Sequence, residues 1–122
     1  MTLKEIAEDF LQLAAKGDSK KAFQLYTSSK LTHHNAYFAA DPETLMLAME
    51  ESAKENPERT FEIQRTLVDG NMVATHSFIK QNQEDKGMAL VHIFRFEGDK
   101  IVEMWDIGQP VPTETINENG MF

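Results

Sequence analysis

Cysteine is absent from the 122 residues, which removes disulfides, thiolate nucleophiles and thiolate-bound metals from consideration. Cations are scarce: twelve Lys and Arg stand against twenty Asp and Glu, for a formal charge of −8. They are scattered, mostly beside acids, so the clustered basic surface that grips a phosphate backbone is missing and no nucleic-acid partner is expected. No uninterrupted apolar run approaches the roughly 20 residues of a bilayer span. The N-terminus has no basic segment followed by an apolar stretch. No membrane partner and a cytoplasmic location are therefore expected. HExxH and similar ligand spacings are lacking too, so neither a metal nor a cofactor is expected.

What is present suits one folded domain over residues 1–122, with 41% hydrophobic residues and no repeat or linker. "MTLKEIAEDFLQLAAKG" opens with Thr2 and Glu5 in capping-box spacing, carries Leu3, Ile6, Phe10, Leu11 and Ala14 at helical intervals, and meets a stop at Gly17. Asp18 is placed to cap a second short helix bearing Ala22, Phe23 and Tyr26. "DPETLMLAMEESAKENP" gives a third, with Asp41 as cap, Pro42 at the first helical position, and Leu45, Ala48, Met49 and Ser52 on one face.

Beyond Pro57 the period changes from 3.6 to 2. "RTFEIQRTLV" alternates with Phe61, Ile63 and Leu67 on one side, and Asp69-Gly70 signals a hairpin into "MVATHSFIK". "MALVHIFRF" and "IVEMWDI" follow, separated by the turn "EGDK". Helices first and an antiparallel meander of about four strands afterwards indicate an α+β fold with helices on one face of the sheet. Residues 109–122 form a polar tail, expected to be loosely held unless Met121 and Phe122 fold back as a cover.

The last strand poses the chemical question. Ile101 and Trp105 alternate against Val102 and Met104, and then Asp106 falls where another apolar residue is expected. With no thiol available, the four histidines are the other candidates, because imidazole titrates near neutrality. His33 and His34 lie in "KLTHHNAYF", a segment without clear period. His76 lies on the Met72, Ala74, Phe78 face of its strand, and His92 shares a face with Leu90 and Phe94. A tight two-residue turn at Gly98-Asp99 would set Val91 opposite Asp106; a three-residue loop or a bulge at Gly98 would set His92 there instead. The pattern leaves both open.

"HIFRFEGDKIVEMWDIGQPVP", with "HHNAYF" and "NMVATHSF", resembles the SnoaL-like polyketide cyclases of the nuclear transport factor 2-like superfamily, which also holds the steroid delta-isomerases. The resemblance covers nearly the whole chain. It implies a cone: three helices packed on a strongly curved antiparallel sheet that encloses an apolar pocket. By motif, Asp106 matches the cyclases' acid/base carboxylate and His92 its partner, although many relatives carry Asp where His92 stands. His34-Asn35 and His76 match pocket elements, and Trp105 is a candidate pocket wall. The resemblance thus implies a cofactor-free enzyme acting on a small apolar carbonyl compound by aldol-type cyclisation, isomerisation or dehydration. The alternatives are a non-catalytic binder of a small hydrophobic ligand and an assembly module that dimerises through the outer sheet face.

Overall fold

The structure, a computed structural model, describes all residues from Met1 to Phe122. Its elements run α1 (Leu3–Lys16), α2 (Ser19–Tyr26), β1 (Thr27–His33), α3 (Pro42–Glu55), β2 (Thr60–Asp69), β3 (Met72–Lys80), β4 (Met88–Glu97) and β5 (Lys100–Pro110). The five strands form one curled, unclosed sheet in the order β1-β5-β4-β3-β2. The helices fill its concave side, giving an α+β fold with the expected layers.

Local chemistry accounts for the helices. Thr2 Oγ1 accepts from the Glu5 N–H, and the Glu5 carboxylate accepts from the Thr2 N–H, so two of the otherwise orphaned helix-start donors are satisfied together. Gly17 ends α1 at φ 100°, a conformation that costs a residue with a Cβ atom and not glycine. Thr2→Ala is expected to lower stability by about 1 kcal/mol in urea denaturation. Asp41 caps α3 by accepting from the Thr44 N–H, with Pro42 next to it. Asp18 differs from expectation: it stands at the start of α2, but its side chain makes no capping bond.

Ile6, Ala7, Phe10 and Leu11 of α1 pack on Val73, Phe94, Phe96, Ile101 and Met104 of the sheet, with Leu45 of α3 closing the core. Phe10 meets Phe23 and Phe94 at ring separations of 5.3 and 5.8 Å, in tilted and edge-on arrangements favourable to aromatic pairs.

The sheet departs from the sequence reading in three respects. It has five strands and is mixed, because β1 runs parallel to β5. β1 is an edge strand whose register shifts between Thr27 and Thr32, and only Leu31 and His33 are buried along it, so its period was too short to see. The second departure is a bulge between Ile63 and Arg65 on β2. It turns Leu67 outward, where it is 66% exposed, so Leu67 does not share the side of Phe61 and Ile63. Third, β5 extends through Pro110, with Gln109 and Pro110 paired to Ala89 and Met88. The tail therefore starts at residue 111, two positions later than expected. It does fold back: the Phe122 ring stacks on Phe78 at 4.3 Å and on His76 at 5.6 Å.

Candidate functional site

The β4–β5 hairpin answers the register question with a combination of the two options. The turn is the tight one, with Glu97 opposite Lys100 and Phe96 opposite Ile101. A bulge then follows, so that Arg95 opposes Glu103 and Val102 is left without a partner. From there Met104 opposes Phe94 and Asp106 opposes His92. Directly opposed residues of an antiparallel pair share a face. Ile101, Met104 and Asp106 therefore all face the concave side, while Glu103 and Trp105 face out. Ile101 and Trp105 do not share a side, as simple alternation had suggested, because the extra residue resets the count.

β3 continues the row. Thr75 opposes His92, and Ser77 opposes Leu90. Thr75, His92 and Asp106 thus cross the concave face as a polar band in an otherwise apolar wall. From the end of β1, Asn35 Nδ2 donates to Asp106 Oδ2 at 2.8 Å. The orientation of that amide is fixed, because Asn35 Oδ1 already accepts from the Tyr37 N–H at 3.0 Å. Asn35 is in turn held by His33, whose Nδ1 accepts from the Asn35 N–H while its Nε2 donates to the Ala39 carbonyl at 2.8 Å. His33 is therefore buried and structural, in a segment whose lack of period left its burial unread.

His92 and Asp106 face one another, but no hydrogen bond joins them; the bond to the carboxylate comes from Asn35. The His92 Nδ1 is buried without a protein partner, as are the hydroxyls of Thr75 and Ser77. Burial is the main influence on His92, lowering its pKa to about 4, and the nearby Asp106 charge offsets only part of this. The imidazole is consequently neutral at pH 7, a donor through one nitrogen and an acceptor through the other.

His92, Asp106 and Asn35 line a cavity of about 210 Å³. Its walls are mostly apolar, drawn from Leu11, Phe38, Leu45, Met49 and Phe61, with His92, Asp106, Asn35, Ser52 and Arg59 as the polar members. The cavity-facing residues of α3 are only partly buried apart from Leu45, because they border a space instead of packed side chains. A wider groove of about 670 Å³ lies on the other side of the same residues: Asn35, Leu90, His92 and Asp106 line both. They stand at the neck between interior and mouth. At that mouth Gly108 opposes Leu90, and a Cβ there would come within 2.9 Å of the Leu90 and Met88 side chains.

Of the six residues singled out in the sequence, three line the cavity: Asp106, His92 and Asn35. His34 joins them along the wider groove at the mouth, whereas His76 and Trp105 line neither. The His34 ring stacks on Trp105 at 5.0 Å, and its Nε2 donates to Glu103 at 2.7 Å, on the convex side. Glu103 also accepts from Arg95 at 3.0 Å, and these hydrogen bonds hold its carboxyl below the usual range. His76 lies on the convex face too, against Arg65 and beneath Phe122. It took that side because Thr75, not His76, shares the inward parity of Val73. Nowhere do three His, Asp or Glu side chains converge closely enough to hold a metal ion. Arg59 is a polar cavity residue that the sequence reading passed over. Arg59 had a usable signal, since residues 59, 61 and 63 share one parity at the entry to β2.

Helices cradled in a curled sheet around an apolar cavity define a cone-shaped, nuclear transport factor 2-like protein. The model of the SnoaL-like domain matches residues 7–104, and the chain belongs to that family. No curated protein matches it in sequence. Among solved structures it is similar to an NTF2-like protein of unknown function from Cytophaga hutchinsonii (16% identity, 90% of this chain and 92% of that one covered, TM-score 0.72). It is similar also to a SnoaL-like polyketide cyclase from Agrobacterium tumefaciens (15% identity, 89% and 92% covered, TM-score 0.69). A cystatin-fold protein from Novosphingobium aromaticivorans gives 16% identity, 88% and 98% coverage and a TM-score of 0.73. At such identities the likeness concerns the fold. No helix is long and apolar enough to cross a membrane.

Proposed function

We propose that the protein is a cofactor-free acid/base enzyme that removes a proton alpha to the carbonyl of a small apolar compound, as the first step of an aldol-type cyclisation, isomerisation or dehydration. The observation that carries this reading is the cross-strand placement of Asp106 against His92 on the wall of an apolar cavity. Asp106 is the base. Asn35 commits one carboxylate oxygen and leaves the other to take the proton. His92, neutral in its buried setting, donates a hydrogen bond to the oxyanion that forms as the enolate develops. The SnoaL-like polyketide cyclase among the structural relatives is consistent with this class of chemistry.

The test is deuterium uptake at the alpha carbon of enolisable ketones in buffered D₂O, followed by proton NMR with and without the protein. Acceleration over buffer supports the reading. No acceleration across aryl and alkyl ketones returns the cavity to the second reading, a non-catalytic site for a small hydrophobic ligand. The absence of a His92–Asp106 hydrogen bond favours that alternative.

The convex face supports a second copy of the chain as partner. Leu67, Val91 and Ile107 are 66%, 36% and 63% exposed there, which makes an apolar surface beside the Phe122 cover. Sedimentation velocity is expected to show a dimer that Ile107→Asp converts to monomer. An unchanged sedimentation coefficient would remove the dimer assignment.

A further inference from the structure

Arg59 is a half-buried cation on the wall of the cavity, in a chain whose net charge is −8. It pairs with no carboxylate: the ion pairs of the protein belong to His34, Arg95, Glu97 and Glu103. Its hydrogen bonds go to neutral groups, Nε to Gln81 Oε1 at 2.9 Å and Nη2 to the Ser52 hydroxyl. These two contacts, from the segment after β3 and from α3, fix the plane of the guanidinium. Three of its five N–H donors remain uncommitted. Arginine keeps its charge in proteins, so burial here leaves a fixed cation with spare donors beside Leu45, Met49 and Phe61. Burying a charge is costly unless it is paired and hydrogen-bonded, and nothing in the protein supplies the pairing anion.

The cavity's own carboxylate, Asp106, is held by Asn35 and makes no ion pair with Arg59. One wall residue therefore offers a cation with free donors, and another offers a carboxylate poised at the neck.

We propose that Arg59 is the specificity-determining residue of the cavity and that its ligand carries a carboxylate, seated on the guanidinium, at the end of an apolar body whose other end reaches Asp106 and His92. The planar fork suits a carboxylate, which can take two parallel N–H bonds. A neutral ligand of the same shape would cover the half-buried cation further without giving it a counter-charge. The inference rests on the reading of the cavity as a ligand site and adds the class of ligand: an amphipathic monocarboxylic acid.

The test compares 3-phenylpropanoate with its neutral counterpart 3-phenylpropanamide, titrated into the full chain at pH 7 and low salt by amide-detected NMR. The expected result is that the acid binds about tenfold or more tightly than the amide, with shifts at residues 52, 59 and 81. Arg59→Gln brings the ratio close to one by weakening the acid alone, and Arg59→Lys, which keeps the charge, retains part of the preference. The comparison of acid with amide in the unaltered protein needs no variant, so a poorly folding Arg59→Gln would not blunt it. Equal binding of acid and amide in the cavity overturns the carboxylate assignment while leaving the cavity a ligand site. A preference that survives Arg59→Gln overturns it as well. If neither compound perturbs a cavity residue while the ketone exchange reaction is still accelerated, the Arg59 assignment falls and the acid/base reading stands.

Discussion

Asp106→Asn lowers the protein's acceleration of ketone deuterium uptake by about 10²–10⁴-fold, the range that a positioned base contributes. The substitution replaces one carboxylate oxygen by an amide NH₂ of almost the same size. The remaining oxygen can still accept from Asn35 Nδ2, so the loop after β1 keeps its anchor. What is lost is the basic lone pair at the neck of the cavity. Ligand affinity should change far less than rate, since the apolar walls contributed by Leu11, Leu45 and Phe61 are untouched. A drop in rate at nearly constant affinity is the mark of a group that acts in the transition state. If Asp106→Asn exchanges ketone protons as fast as the original protein, Asp106 is not the base, and the non-catalytic binding reading takes its place.

The second large effect concerns stability against pH. His92 has its folded-state pKa lowered from 6.5 to about 4, mainly by burial. In the unfolded chain the imidazole takes up a proton as pH falls below about 6.5, whereas in the folded protein it resists until about 4. The unfolded state thus binds more protons through that window, and stability must fall as pH is lowered across it. At 1.36 kcal/mol per pH unit of difference, the full loss attributable to His92 is about 3 kcal/mol. Urea denaturation between pH 7.5 and 4.5 should show most of this loss in the original protein and its absence in His92→Leu. The carboxylates titrate in both and largely cancel in the comparison. Identical pH profiles would mean that the imidazole is not buried as a neutral group.

Much of this architecture could be read from the chain, for identifiable reasons. Thr2, Gly17, Asp41 and Pro42 act on their immediate neighbours, so the ends of α1 and α3 follow from short-range chemistry. The change of period after Pro57 gave β2 to β5 in the same way. The elements that escaped depend on partners remote in sequence. β1 exists because β5 offers it an edge, and its serines and exposed lysine conceal the alternation of Leu31 and His33. The two bulges shift parity without any composition signal, which is why Leu67 and Ile101 were assigned to the wrong sides. His76 matches a pocket element only by motif, and its apolar neighbours Met72, Ala74 and Phe78 lie on the convex side with it. That face is apolar because Phe122 returns to cover part of it. The true concave face of β3 carries Thr75 and Ser77, polar residues that no hydrophobic pattern would select. Asp106, His92 and Asn35 could be nominated through a family resemblance. The contact between Asn35 and Asp106 spans 71 positions and came only with the fold.

The unpaired Val102 makes β5 unequally tolerant of changes in length. A residue lost at 102 would merely restore regular pairing, leaving Met104 opposite Phe94 and Asp106 opposite His92. A residue gained or lost between Glu103 and Asp106 would instead exchange inside for outside, carrying the carboxylate to the convex surface and bringing Trp105 or Ile107 against His92. Lineages descended from this chain can therefore shorten the hairpin near its tip without touching the chemistry at the neck. Three residues further along, the same edit replaces an acid by a hydrocarbon, and the cavity keeps its shape but not its reagent.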